Sequence, residues 1–194
     1  MTVSRDALIQ LLGERSVRFG DFVLASGAHS PYYIDCRLTT MSARGQRLVG
    51  ALGLAAIREA GWQVQAVGGL TMGADPVAYA IASASADNPT PIDAFSVRKA
   101  AKEHGTGRQI EGNFAAGDRV VVVEDVITSG ASALTAIEVI QAAGGIVVGV
   151  LAVVDREAGG RERIATTGIP VRSLVSAREL GCGNDGTLEV KGER

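Results

Sequence analysis

The chain is poor in cysteine, and its two thiols, Cys36 and Cys182, are far apart in sequence. Neither belongs to a CxxC or CxxH pattern, so no zinc-ligand spacing and no redox pair is present, and two reduced thiols in a reducing compartment is the reading that fits. No run approaches the ~18 consecutive apolar residues of a membrane-spanning helix. Residues 1–12, where Arg5 and Asp6 interrupt short apolar runs, make neither a signal peptide nor a transit peptide. The formal net charge is −2. No global basic field exists to draw in nucleic acid or an anionic membrane, and any anion site must be local. Internal repeats, low-complexity tracts and linkers are missing as well. These absences describe a cytoplasmic protein without a nucleic-acid or membrane partner.

What remains is ordinary globular material. Hydrophobic residues make up 46% of the 194 residues and charged residues 21%, a mix that suits one domain spanning residues 1–194. Residues 6–14 predict a helix with Leu8, Leu11 and Leu12 on one face and Ser4 as its cap. Residues 19–25 and 32–36 predict two short strands or a hairpin around the turn residues 26–31. A helix over 42–60 ends at Gly61, a strand covers 65–67 and runs into Gly68 and Gly69, and Asp75 with Pro76 opens another helix. Residues 93–97 predict a strand, and 98–111 a long polar loop. Residues 120–123 form a continuous valine run, the pattern of a strand buried on both faces. A helix over 132–143, a buried strand over 146–154, a helix over 161–167 and a strand over 171–175 complete the chain. Strands alternating with helices imply an α/β fold: a mostly parallel central sheet flanked by helices. Ligands in such folds bind beyond the carboxyl ends of the strands. Gly69, Val97, Val123 and Val154 precede the four most polar or glycine-rich segments, which should meet at one edge.

The most informative segment runs from Val120 to Ser132. It reads as strand, the acids Glu124 and Asp125, a small-residue loop, then helix. Backbone N–H groups and hydroxyls of Thr128, Ser129, Gly130, Ala131 and Ser132 can converge on one spot at a helix N-terminus, which makes a phosphate monoester site. Two carboxylates beside a phosphate need a neutral or cationic intermediary, and ribose hydroxyls and Mg²⁺ both fit. The segment therefore asks for a ribose 5-phosphate. A strand with a polar turn into a capped helix is the plainer alternative, and the acid pair at this spacing argues against it. No lysine follows Gly130 as a Walker A motif requires, and the GxGxxG fingerprint of dinucleotide-binding folds is absent.

This segment, Glu124-Asp125-Val126-Ile127-Thr128-Ser129-Gly130-Ala131-Ser132, resembles the PRPP-binding signature of type I phosphoribosyltransferases, and every position matches. The resemblance implies that fold, with a small N-terminal hood made in part by about residues 1–40. It implies that residues 128–132 hold the 5-phosphate of PRPP, that Glu124 and Asp125 hold the ribose hydroxyls, and that Val126 and Ile127 complete the site. Mg²⁺ would be held mainly by PRPP near the two acids, not by a fixed protein cage.

Residues 98–112 carry a cluster of cations among glycines. A solvated charged loop is one reading. A mobile cationic lid is the other: it would neutralise a departing pyrophosphate and shield the reacting ribose from water. The loop resembles the lid of the orotate phosphoribosyltransferases at Arg98, Lys99, Lys102, His104, Gly105, Ile110, Glu111 and Gly112. That resemblance implies Lys102 as the main lid catalyst, with Asp125 and His104 also catalytic, and Arg98, Lys99, Lys102 and His104 on pyrophosphate. It implies a homodimer whose lid closes over the neighbouring subunit's site. Ala100 departs from the family's usual glutamate. Thr71, Met72 and Gly73 look like the family's pyrophosphate loop, where some relatives carry lysine at the Gly73 position.

Orotate, a flat anion, needs an apolar slot and a bidentate donor. Arg156, at the end of the strand over 146–154, resembles the family's orotate-holding arginine, with Thr128 sharing the task. The Ser-Gly-x-x-Ser-x-Tyr-Tyr-x-Asp pattern ending at Asp35 resembles the hood over the base. It implies that Tyr33 and Ile34 supply the slot, although two such residues on a strand can equally belong to the core. Ala25 stands where several relatives have a substrate-touching lysine. The implied reaction is orotate plus PRPP giving orotidine 5-phosphate and pyrophosphate, the pyrimidine route to UMP. The alternatives are transfer to another base and a PRPP-sensing regulator without catalysis.

Overall fold

The computed structural model describes residues 3–23, 27, 29–100 and 109–182. Helix α1 (Arg5–Arg15) is capped by Ser4, whose hydroxyl accepts from Ala7 N at 3.2 Å, and it buries Leu8, Leu11 and Leu12 as their spacing requires. Strands β1 (Val17–Val23) and β2 (His29–Ile34) pair antiparallel as a separate two-stranded sheet. A short helix α2 (Arg37–Thr40) leads into α3 (Ala43–Glu59), which is capped by Ser42 and followed by Gly61 at φ 69°. That left-handed turn suits glycine and releases the chain from the helix.

Then follow β3 (Ala66–Leu70), α4 (Ala74–Ser85), β4 (Asp93–Val97), β5 (Ile110–Gly112), β6 (Arg119–Ile127), α5 (Ala131–Ala142), β7 (Ile146–Asp155), α6 (Gly160–Ala165) and β8 (Val171–Ser176). The main sheet has the order β5-β4-β3-β6-β7-β8, and every neighbouring pair is parallel except β4–β5. From β3 the chain winds outward to β4 and β5; from β6 it winds the other way to β7 and β8. The β3–β6 junction is therefore the topological switch point, where a crevice opens outside the carboxyl ends.

Both faces of the sheet are covered. Val121 and Val123 pack with α1, α3 and α4, whereas Val120 and Val122 pack with α5 residues Ala133, Ala136, Ile137 and Ile140. This double coverage explains the uninterrupted valine run.

The structure departs from the sequence expectations in three places that shape the site. Residues 29–31, read as part of a turn, belong to β2, which ends at Ile34 and not at residue 36. Strand β6 does not stop at Val123. It continues through Ile127, with Glu124 opposite Ala152 and Val126 opposite Val154 on β7, so the two acids are strand residues. The segment 98–111, read as loop to its end, contains β5: Ile110 pairs with Val97 and Gly112 with Phe95. Three residues are too few to display an alternation.

Candidate functional site

At the switch point, Glu124 and the loop after β6 share one small cleft of about 100 Å³, lined by Glu124, Val126, Ile127 and residues 128–133. Gly130 turns the chain at φ 74°, a left-handed conformation that glycine adopts without a Cβ penalty, and α5 starts at the next residue. The loop thus presents backbone and hydroxyl groups at the N-terminus of a twelve-residue helix, a setting favourable to an anion.

Glu124 is 5% exposed, and its Oε1 has no hydrogen-bond partner among the described residues. Burial, with a smaller contribution from the neighbouring Asp125 charge, pushes its carboxyl up to about 8. Asp125 is also raised, chiefly by burial; the backbone N–H of Val126, donating to Oδ1 at 2.9 Å, and the Arg37 guanidinium oppose that rise. A buried acid with an orphaned oxygen needs a donor or a cation to become comfortable. Hydroxyl groups are ligands of the first kind and divalent cations of the second.

The β3–α4 loop closes the other side of the crevice. Thr71 N donates to Val97 O at 2.8 Å, Met72 is exposed, and the Thr71–Met72 peptide is cis. Gly73 lies against Asp125 so closely that a Cβ there would overlap the carboxylate. Of the proposed lid residues, Arg98 and Lys99 lie within the described residues, whereas Lys102 and His104 lie outside them, as does Ala25. Arg98 pairs with Glu111 at 2.9 Å, its N–H donates to Gln109 O at 2.8 Å, and Gln109 Nε2 donates back to Arg98 O at 2.9 Å. The two stems of the 98–112 segment are thereby joined, and the Arg98 side chain is held at the stem by an acid.

Arg156 is not a surface arginine. It is 8% exposed; its Nη2 donates to Ser30 Oγ at 2.7 Å, and its Cζ lies 4.7 Å from the Tyr32 ring centroid. Its backbone N–H donates to Ile127 O at 2.9 Å, which ties it to the end of β6 just before residues 128–132.

Tyr33 and Ile34, expected to supply the base slot, point their side chains to opposite faces of β2. Burial alternates along β2, so Ser30, Tyr32 and Ile34 face inward while Tyr33 faces outward. Ile34 is part of the core, and Tyr33 is 41% exposed with its ring centroid 5.8 Å from that of Phe22. Consecutive strand residues cannot share a face. The aromatic that meets Arg156 is Tyr32. Tyr32 was missed although the period of two, anchored on apolar Ile34, puts it in phase, and Ser30 was missed because residues 26–31 read as a turn. Gly160, packed against the phosphate loop, and the Asp35–Arg37 ion pair at 2.8 Å, electrostatically coupled to Asp125, were also missed. No local motif marks Gly160, and the pattern that ends at Asp35 does not reach Arg37.

Comparison with known proteins places this geometry. The family model described as phosphoribosyl transferase domain matches residues 44–170. The orotate phosphoribosyltransferase of Mycobacterium avium is 48% identical over 180 residues, spanning 92% of this chain and 97% of that protein. The orotate phosphoribosyltransferase of Aquifex aeolicus is 45% identical over 183 residues, spanning 93% and 99%. Among solved structures, the Mycobacterium tuberculosis orotate phosphoribosyltransferase in complex with Fe(III) dicitrate has a TM-score of 0.81 at 47% identity, covering 91% of this chain and 98% of that one. The complex of that enzyme with PRPP has a TM-score of 0.75 at 41% identity, covering 91% of each. The sheet order, the acid-bearing strand and its phosphate loop, and these similarities agree: the chain belongs to the type I phosphoribosyltransferases and, within them, to the orotate phosphoribosyltransferases.

Proposed function

We propose that this chain transfers the 5-phosphoribosyl group of PRPP to orotate, forming orotidine 5-phosphate and releasing pyrophosphate. The observation that carries the reading is the single cleft shared by Glu124 and residues 128–133. It puts a carboxylate for a ribose hydroxyl beside an anion cradle for the 5-phosphate. Thr128, Ser129, Gly130, Ala131 and Ser132 hold that phosphate, and Glu124 and Asp125 hold the diol. Thr71, Met72 and Gly73, opposite them, offer backbone groups to pyrophosphate.

The orotate nitrogen attacks C1 of the ribose as the bond to pyrophosphate breaks. Holding both reactants in register supplies much of the rate, with effective molarities of about 10⁵ M or more for well-oriented pairs. Lys99, Lys102 and His104 bring positive charge to the leaving group, and Arg98 does so once it parts from Glu111. Arg156 binds the orotate carboxylate. Two acids are too few for a metal cage, but the orphaned Glu124 Oε1 and the adjacent Asp125 suit a Mg²⁺ whose other ligands come from PRPP. When bound, that ion adds positive charge at the pyrophosphate. We place the working unit in the cytoplasm as a homodimer with the lid shared between subunits; no described helix is long and apolar enough to cross a membrane.

The test is formation of orotidine 5-phosphate and pyrophosphate from PRPP, orotate and Mg²⁺. Turnover with adenine or uracil but not orotate would replace the substrate. PRPP binding without turnover on any base would make the protein a sensor.

A further inference from the structure

We infer that Ser30 and Tyr32 of the hairpin are positioning residues for base recognition: they occupy one edge of the Arg156 guanidinium so that its other edge faces the substrate carboxylate. The inference rests on the orotate reading above and deepens it.

Arg156 is a buried cation without a counterion. Among the described residues no carboxylate lies within ion-pair distance of it. Its neighbour Asp155 is engaged elsewhere, with Oδ1 accepting from Glu157 N at 2.9 Å and Oδ2 4.0 Å from Arg161 Nη1. A buried charge with no opposite charge is unfavourable until an anion joins it. The free protein therefore holds a cation ready for an anionic ligand.

Which part of the guanidinium meets that ligand is set by the hairpin. Nε donates to the Tyr32 hydroxyl at 3.4 Å, while Nη2 donates to Ser30 Oγ at 2.7 Å and to Tyr32 O at 3.4 Å. The Ser30 hydroxyl spends its only proton on Tyr32 O at 2.7 Å, so toward Arg156 it can only accept. The Tyr32 ring covers one face of the guanidinium, with the centroid 4.7 Å from Cζ. Nε and Nη2 form the side edge of the fork, and that edge is taken. Nη1 has no hydrogen-bond partner among the described residues. Nη1, with both of its protons unengaged, remains to grip a carboxylate at the end of the fork opposite the hairpin. Because β1 and β2 are a sheet of their own, this contact joins the position of the hood to recognition of the base.

Steady-state kinetics on the full chain test the idea, each substrate varied with the other saturating. Ser30→Ala is expected to raise the orotate KM about 10-fold, with kcat and the PRPP KM within about 2-fold of the parent. Ser30→Thr, which keeps the acceptor, restores the orotate KM. Tyr32→Phe, which keeps the ring and loses the Nε acceptor, raises the orotate KM by about 3-fold. Thermal melts of each variant report folding. Equal rises in both KM values with a lowered Tm would mean that the hairpin merely fell apart, which overturns positioning, as would unchanged orotate KM values in both Ser30→Ala and Tyr32→Phe. Failure of the parent protein to use orotate is a separate result: it removes the substrate assignment itself.

Discussion

The backbone of Gly160 touches the Thr128 carbonyl oxygen: a Cβ at Gly160 would overlap that oxygen and stand 2.7 Å from Gly130 N. The contact is mutual, because a Cβ at Gly130 would lie 2.8 Å from Gly160 O. The start of α6 therefore buttresses the 128–130 loop, and the amides proposed to face the 5-phosphate owe their place to a missing side chain on another element.

From this contact comes the first prediction. Gly160→Ala pushes on Thr128 and Gly130, two members of the cradle, and is expected to raise the PRPP KM about 10-fold or more, with little change in the orotate KM. Gly159→Ala is the comparison. Gly159 has φ 83° and nothing within 4 Å of its Cβ position. Alanine there strains the backbone by about 1 kcal/mol and moves no cradle atom, so Tm falls while the PRPP KM holds. Kinetics and melting curves on the two variants separate the effects.

Gly73 yields the second prediction. Where some relatives carry lysine, a side chain here would begin inside the space of the Asp125 carboxylate. Gly73→Lys is therefore expected to lower kcat/KM for PRPP by displacing Asp125, by about 10-fold or more, instead of adding a useful cation. Gly73→Ala should show most of the same loss, since Cβ alone makes the collision. A gain of PRPP affinity in Gly73→Lys would show that the loop can retreat and that Asp125 keeps its place.

The third prediction concerns pH. Glu124 is raised from 4.5 to about 8 in the folded chain, mainly by burial. Between those values the folded state keeps a proton that the unfolded state has released, so the folded state is progressively disfavoured as pH climbs through the window. Stability of the ligand-free protein should fall from about pH 4.5 toward pH 8 and then level off where both states are ionised. Glu124→Gln removes this component, and its Tm should depend less on pH over the same window. Parallel Tm profiles of parent and variant would show that Glu124 is already ionised in the folded protein.

How much of this was legible in the sequence follows from the range of the forces involved. The valine run, the cap at Ser4 and the exit at Gly61 are local signals, and the elements form where those signals put them. Strand β6 outran its apolar segment because Glu124 and Val126 pair with β7, which no local pattern reveals. Tyr33 and Ile34 were assigned from a motif; the alternation of burial along β2 gives the place beside Arg156 to Tyr32. The acid pair and loop were readable because strand, acids and helix start lie within thirteen consecutive residues. The brace at Gly160 and the unpartnered charge of Arg156 depend on neighbours distant in sequence, 32 positions from Thr128 and 126 from Ser30.

The fourth prediction separates the lid from the base site. Lys102 is assigned to the leaving group, whose charge grows only as the bond to C1 breaks, so its effect belongs to the transition state. Arg156 is assigned to a carboxylate that carries full charge in the ground state, so its effect belongs to binding. Lys102→Ala should therefore lower kcat by about 10²-fold or more with a near-constant orotate KM. Arg156→Ala should raise the orotate KM by about 10- to 100-fold, in keeping with loss of a charged hydrogen-bond pair in a dry pocket. Arg156→Lys is the sharper variant: it keeps the charge but loses the planar fork, and with it the edge-sharing between Ser30, Tyr32 and the substrate. If Arg156→Lys matched the parent, charge alone would suffice and the fork geometry would be irrelevant. Small and equal effects from Lys102→Ala and Arg156→Ala would remove both assignments, because two groups acting at different points of the reaction cannot leave the same kinetic trace.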